Sequence, residues 1–333
     1  MSSEPSEENM VSRLLRSSEP SIRYKALVGL FGVDPQSRGA VELGEEIRRS
    51  LRVRTLLSEK EKDGRIRYHP YSKWYGAHWI LATLADLDYP QEDESLIPMR
   101  DQVYEWLFSP EHTRETKHHH VYSAPYKVVT GRPRIHASLE GNALFSSLKL
   151  GIWNERTDEL ADRLVSTQWE DGGWNCDKTP GANHSSFNES LIPLRGLLYH
   201  AKIRKSRSSF QAAKKAAEFF LKRKLFRTLH DGTIISTKFL ELHYPCYWHY
   251  DILFALKVMT EGSYIRDPRC KEALNLLKSR NLSDGGFPAD KKFYTVTRDL
   301  RAGRSLVDWG GVGAGKMNEF VTVDALNVLK AAE

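Results

Sequence analysis

The sequence predicts an all-α protein, an (α/α)6 toroid of six helical hairpins. Three observations lead there: one turn recurs along the chain, helices of two kinds alternate, and the long connections all fall at the same end of one kind. The turn is clearest at Gln168-Trp169-Glu170-Asp171-Gly172-Gly173-Trp174, between two helical patterns. Its glycines allow positive φ and end the preceding helix, and its last Trp is placed to stack back over the helix end. The turn returns as Ser283-Asp284-Gly285-Gly286-Phe287 and as His230-Asp231-Gly232-Thr233-Ile234, with looser copies at Lys62-Asp63-Gly64-Arg65-Ile66 and Thr130-Gly131-Arg132-Pro133. One turn returning at long intervals marks a repeat architecture.

Taken in chain order, apolar helices are expected at 21–31, 74–87, 136–150, 184–200, 247–259 and 319–331. Each carries small or apolar residues and Leu at helical spacing with little charge late in the helix, the pattern of a helix buried nearly all round. Charged amphipathic helices are expected ahead of them at 9–16, 40–57, 98–108, 156–168, 210–226 and 268–279. In the fifth of these, Phe210, Ala213, Ala217, Phe220 and Leu221 keep to one stripe. Six such pairs, stacked side by side, close into a ring with the apolar helices inside. The first amphipathic helix then lies beside the last apolar one. Connections from outer to inner helices are long (109–135, 169–183, 227–246 and 280–318), against a usual median of about 4–6 residues. They emerge together at the N-termini of the inner helices, and long loops on one face of a rigid scaffold are where function concentrates.

Composition sets the outer limits. The 333 residues, 40% apolar and 11% aromatic, suffice for one large domain with a substantial core. No apolar run approaches the roughly 20 residues that span a bilayer. Residues 1–8 are polar and acidic, the opposite of a signal peptide, and are expected to be a disordered tail before a single domain over 9–333. Three cysteines, Cys176, Cys246 and Cys270, without an export signal point to reduced thiols and a cytoplasmic location. The net charge of +6 is mild. Clusters such as Lys214-Lys215 and Lys222-Arg223-Lys224 lie on amphipathic helices with acids nearby, so they read as solvated faces and no nucleic-acid partner is expected.

Gln168 with Asp171-Gly172-Gly173-Trp174 is similar to the QW-type repeat of squalene-hopene and oxidosqualene cyclases. The helix-turn spacing also resembles that of the β subunit of protein prenyltransferases. The resemblance covers nearly the whole chain as repeat architecture and implies a small, single-toroid relative. The DxDD acid motif of class II cyclases and the DDxxD of class I terpene synthases are absent; Asn175-Cys176-Asp177 and Asp308-Trp309 are what stands nearest. Protein prenyltransferases hold zinc with an Asp-x-Cys at one inner helix and a His in the next. Cys246 matches the Cys, Tyr244 stands at the Asp and Phe320 at the His.

Aligned on a late leucine, the inner helices carry Lys25, Trp79, Ala143, Glu189, Asp251 and Asp324 five positions earlier. Three consecutive hairpins thereby place a carboxylate at one depth, with Glu140 a turn higher in its own helix. Facing a lumen, such acids would raise one another's pKa and suit a general acid. Bonded to backbone, or to an Arg such as Arg195, they would instead lock adjacent hairpins. The run Tyr247-Trp248-His249-Tyr250-Asp251 is expected to open one inner helix. With Trp74, His78, Trp79, Trp174, His184 and Trp309 it would line an aromatic lumen for a flat apolar ligand or a carbocation. Cys176, Asp177, His243 and Cys246 are candidate zinc ligands by residue type. His118-His119-His120 lies in a long loop. The stretch from Gly310 to Met317 nearly spells a P-loop, but Met317 replaces the Ser/Thr that holds Mg²⁺, and it reads as a Gly-rich lid loop. Six inner-helix N-termini on this face would favour an anionic ligand group.

The function expected from these residues is a terpene-cyclase-like lyase, isomerase or cyclase. It would act on a small apolar molecule, isoprenoid or aromatic, through Asp251, His249, Glu189, Glu140 and Asp324. Two alternatives stay open: a zinc-dependent transferase or lyase using the Cys/His cluster, and a non-catalytic ligand-binding or interaction scaffold. Zinc is the only cofactor any of the three would need.

Overall fold

Helix formation follows the apolar periodicity. The computed structural model describes residues 7–113 and 127–333. Residues 1–6 of the expected tail and the His118-His119-His120 run lie outside them. The described chain is mostly helical. It runs α1 (Glu7–Leu15), α2 (Pro20–Lys25), a π-helical stretch (Ala26–Leu30), α3 (Arg38–Arg49), α4 (Leu51–Leu56), α5 (Ala77–Asp86), α6 (Ile97–Leu107) and α7 (Pro110–Thr113). Then come the hairpin β1 (Lys127–Val129) and β2 (Arg132–Arg134), α8 (Ala137–Lys149), α9 (Glu155–Thr167), α10 (Phe187–Arg204) and α11 (Arg207–Lys222). Next are α12 (Ile252–Glu261), α13 (Lys271–Ser279), the short parallel pair β3 (Thr295–Val296) and β4 (Arg304–Ser305), and α14 (Glu319–Ala331).

Several boundaries differ from expectation for local reasons. The first helix begins at Glu7, inside the expected tail. The helix expected over 40–57 is two helices, because Ser50 leaves the helical conformation and its hydroxyl accepts from Val53 N–H as a new N-cap. The run Tyr247 to Asp251 does not open a helix. Asp251 is itself the N-cap, its carboxylate accepting from Phe254 N–H at 2.7 Å, and helix α12 starts after it.

The apolar helices contact one another in a closed circuit. Helix α5 lies on α8, α8 on α10, α10 on α12, and α12 on α14, while α14 lies on α2 and the π-helical stretch. Ser21 Oγ donates to Leu87 O at 2.7 Å and joins α2 to the end of α5. Charged helices pack outside: α1 and α3 on α2, α6 on α5, α9 on α8, α11 on α10 and α13 on α12. Tyr104 shows how the layers are pinned, since its hydroxyl on α6 reaches Ser147 Oγ on α8 at 2.8 Å and Thr157 Oγ1 on α9 at 2.6 Å.

The recurrent turn does the mechanical work expected of it. Trp174 is fully buried and its Nε1–H donates to Leu164 O at 3.0 Å, capping the end of α9. Gln168 Nε2 donates to Gly172 O and to Ala212 O, both at 2.8 Å, and so joins α9 to α11. Gly172 has φ +103°, and a Cβ there would meet Lys215 O at 2.4 Å. The copy at 281–287 repeats the bonds: Asn281 Nδ2 donates to Gly285 O, and Leu282 N–H to Gly286 O as Trp169 N–H does to Gly173 O.

Helices α8 and α10 cross in close contact. A Cβ on Gly141 would lie 2.6 Å from Pro193 N and 2.7 Å from its Cα, both backbone atoms that cannot yield. Gly141→Ala is therefore expected to destabilise the protein by about 1–3 kcal/mol through overpacking. Urea unfolding of that variant beside an exposed Gly39→Ala control, whose Cβ would meet nothing, checks this.

A buried ion network sits where the apolar helices meet. Asp86, at the end of α5, faces Lys257 Nζ at 2.8 Å, Arg195 at 3.3 Å and Lys25 Nζ at 3.9 Å. Asp324 faces Lys257 Nζ at 2.8 Å and Lys25 Nζ at 3.1 Å, and Arg195 also reaches Glu261 at 2.6 Å. Arg195, anticipated from sequence as a partner of the inner-helix acids, instead takes Asp86 and Glu261, while Asp324 takes two lysines. The expected common depth of three carboxylates is not seen. Glu189 lies in the first turn of α10, Asp251 precedes α12, and Asp324 is halfway along α14. Among the described residues no helix is long and apolar enough to cross a membrane.

Candidate active site

Residues preceding the apolar helices build a layered aromatic site. Lys73 and Trp74 lie just before α5. Trp74 stacks on Tyr247 with centroids 4.0 Å apart and planes 6° apart, and Trp79 meets both edge-on. Trp74 Nε1–H donates to Phe293 O at 2.7 Å. Phe293 in turn stacks on His249 at 3.4 Å and 9°, and His249 on Trp248 at 4.1 Å. Lys73 Nζ lies 5.2 Å from the Trp248 ring centroid and 5.5 Å from those of Tyr71 and Trp74. Burial lowers its pKa, while the ring faces favour its charge. Burial also pushes His249 down to about 3, so it is a neutral imidazole, and its Nδ1 has no hydrogen-bond partner among the described residues.

Beneath this layer is a His–carboxylate dyad. His243 Nδ1 lies 2.9 Å from Asp251 Oδ2 and 3.1 Å from Glu241 O. Two acceptors converge on one nitrogen, so Nδ1 carries the proton and Nε2 is the working nitrogen. Asp251 is fixed by three donors: His243 N–H at 3.0 Å and Nδ1–H on Oδ2, and Phe254 N–H on Oδ1. His243 is itself held by the 290–291 segment, because Leu242 N–H donates to Asp290 and His243 bridges to Lys291. Among the described residues its buried Nε2 has no hydrogen-bond partner. Burial alone would lower the imidazole pKa, but the charge and hydrogen bond of Asp251 outweigh it, and the group is raised above its ordinary value.

The candidate zinc ligands do not come together as one set. His243 and Cys246 gather with Asp251, whereas Cys176 lies with His136 and Glu189 on the neighbouring hairpin. Asp177 is exposed and accepts from Thr179 N–H. In the first group both Asp251 oxygens accept from N–H donors, and one of those bonds caps α12. Tyr244 and Phe320, at the positions of the prenyltransferase ligands, stack on each other at 4.4 Å with Trp309 edge-on.

Further acids and histidines are buried nearby. Burial pushes Glu140 above the ordinary carboxyl range against the opposing charge of Arg163, whose NH2 lies 2.5 Å from Oε1. His112 Nε2 is 4.0 Å from that oxygen. His112 and His78 are both pushed down to about 3 by burial, and among the described residues both His78 nitrogens lack hydrogen-bond partners. Glu189 accepts from Ser138 N–H at 2.9 Å and faces His136 Nδ1 at 3.2 Å. Of the other expected lining residues, Trp174 is taken up by the end of α9. Tyr250 packs among Phe187, Phe220 and Phe239 with its hydroxyl donating to Leu225 O. His184 is exposed. A cleft of about 770 Å³ opens elsewhere, beside α2–α4, and is lined by charge, including Arg23, Glu42, Glu46 and Arg52.

Sequence reasoning missed Lys73, His112, His136, Phe293 and Arg134. Arg134 ends β2 at 1% exposure, stacks on Trp169 at 4.5 Å, and among the described residues has no hydrogen-bond partner for any of its three guanidinium nitrogens. A guanidinium buried without hydrogen bonds is costly, even with the exposed Asp177 close enough to feel its charge. Arg134→Met keeps the stem on Trp169 and is expected to raise stability by about 1–3 kcal/mol, readable as a higher urea midpoint at unchanged slope.

No protein-family model matches this chain, and no curated protein is similar to it. Solved structures are. A protein from Actinoplanes is 14% identical over 98% of this chain and 99% of its own, with a TM-score of 0.47. A glycosyl hydrolase of family 88 from Bacteroides vulgatus is 12% identical over 94% and 90%, also at 0.47. The type II terpene cyclase MstE from Scytonema is 13% identical over 84% and 95%, at 0.29. The site's chemistry is therefore read from its own residues.

Proposed function

We propose that the helical circuit is a six-hairpin (α/α)6 toroid, and that the chain is an enzyme performing acid–base chemistry on a small, largely apolar molecule. The substrate is held against the Trp74–Tyr247 stack, and His243, oriented by Asp251, transfers the proton. The observation that carries this is His243 Nε2. It is buried, has no hydrogen-bond partner among the described residues, and is aimed by a carboxylate through the other ring nitrogen. A core histidine satisfied at both nitrogens would only pack; one satisfied at Nδ1 alone presents a proton-transfer atom. His249 and Phe293 cover it, so they would have to part as substrate enters. His249 itself is shifted too low to act as an acid at neutral pH. Glu140, kept protonated longer by burial, is the second candidate acid. Asp324, paired with two lysines, is proposed to act structurally.

The test is incubation of the protein with farnesol, geranylgeraniol and squalene, with products followed by mass spectrometry. Conversion by the intact protein and its loss in His243→Gln, with binding retained, supports the reading. No conversion by the intact protein, or undiminished conversion by the variant, overturns it.

A further inference from the structure

We propose that His136, Cys176 and Glu189 form a three-ligand site for a borderline-soft divalent cation of the zinc class, separate from the His243–Asp251 dyad. One nitrogen, one sulfur and one carboxylate oxygen lie within 4.8 Å of one another. His136 Nδ1 and Glu189 Oε1 are 3.2 Å apart. Two donors held at about 2.0–2.1 Å from a tetrahedral zinc are separated by about 3.3–3.4 Å, so this pair already has the spacing of two ligands. Here the geometry differs from that at Asp251. Among the described residues one backbone donor, Ser138 N–H, engages Glu189, and it binds Oε2, which leaves Oε1 turned to His136.

The donors are fixed in place by backbone. Ile135 N–H donates to Asn175 O at 3.2 Å, which sets the residue before His136 against the residue before Cys176. Ser186 N–H donates to Trp174 O at 2.8 Å, and Asn175 Nδ2 to His184 O at 2.7 Å, which fixes the same loop to the start of α10. Glu189 follows in the first turn of that helix. Cys176 thus reaches its partners because the Asp-Gly-Gly-Trp turn ends two residues before it. Ligand positions set before the metal arrives, oriented by a second layer of hydrogen bonds, are what distinguish a built site from a chance gathering of donors. Three protein ligands leave a fourth position for water or substrate, the arrangement of catalytic rather than structural zinc.

The experiment uses the full-length protein, stripped with a chelator and titrated with Co²⁺ and then Zn²⁺. One equivalent of Co²⁺ is expected, with a near-ultraviolet thiolate-to-cobalt band and intense visible bands of a tetrahedral ion, both bleached by Zn²⁺. Cys176→Ala should remove the ultraviolet band, Cys246→Ala should keep it, and Glu189→Gln should weaken Zn²⁺ binding at least about tenfold. Circular dichroism confirms that each variant is folded. Failure to bind either ion stoichiometrically overturns the proposal. So does a band that survives Cys176→Ala or disappears in Cys246→Ala.

Discussion

Asp86→Ala is expected to lower the unfolding free energy by about 3 kcal/mol or more, the cost of removing one partner from a buried ion pair. Its carboxylate serves Lys257, Arg195 and Lys25, and its side chain is 19% exposed. Without it, two lysines must share Asp324, and Arg195 keeps only Glu261. The pH dependence follows. Burial alone would raise Asp86, but the charges of Lys257, Lys25 and Arg195 win, and it sits well below the ordinary carboxyl value of 3.8. A depressed pKa contributes stability that is fully present above the unfolded value and lost as pH falls through the folded one. Urea unfolding from pH 7 down should therefore show an acid limb in the native protein that is flatter in Asp86→Asn. An equally steep limb would place the acid sensitivity elsewhere.

His243→Gln should leave ligand binding within a few-fold and reduce turnover by about 10²–10⁴, the usual worth of a positioned general acid or base. Asp251→Asn should reduce turnover and also stability. Its carboxylate caps α12, a role that Asn also fills, so the loss of stability should be about 1–2 kcal/mol. The two variants differ in pH behaviour. His243 is raised above the ordinary imidazole value, so as an acid it works below its folded pKa and fades as pH rises through it. Its contribution to stability has the same sign, complete below the unfolded value and lost as pH rises through the folded one. Removing the carboxylate should move that basic limb to lower pH, as a purely structural residue would not.

Where local chemistry decides, the sequence was legible. Helix α14 spans the expected residues, and Trp174 closes the end of α9 as its turn chemistry implies. Ser50 and Asp251 were readable as N-caps, but the apolar pattern around each was read straight through it. What was not legible is pairing at long range. Charges on apolar helices announce that they need partners, yet nothing local says that Lys25 will meet Asp324, 299 residues away. The same limit split the candidate metal ligands. Cys176 and Cys246 follow similar loops, and only the folded circuit shows that one meets His136 and the other His243. Arg134 and Phe293 carried no signal at all, since their roles come from what packs beside them.

The closed circuit also bears on how the chain reaches its fold. Helix α14 completes it by meeting α2 and the π-helical stretch, and Lys330 Nζ donates to Leu30 O at the end of that stretch. Contacts spanning almost the whole sequence are the slowest to form, because chain entropy must be lost before they contribute. Until α14 leaves the ribosome, Lys25 and Lys257 lack Asp324, and an apolar flank of α12 stands open. Earlier hairpins can pair with their neighbours as they emerge, but the ion network cannot be completed piecemeal. Chaperone demand and aggregation during synthesis should therefore depend most on these thirteen residues of α14.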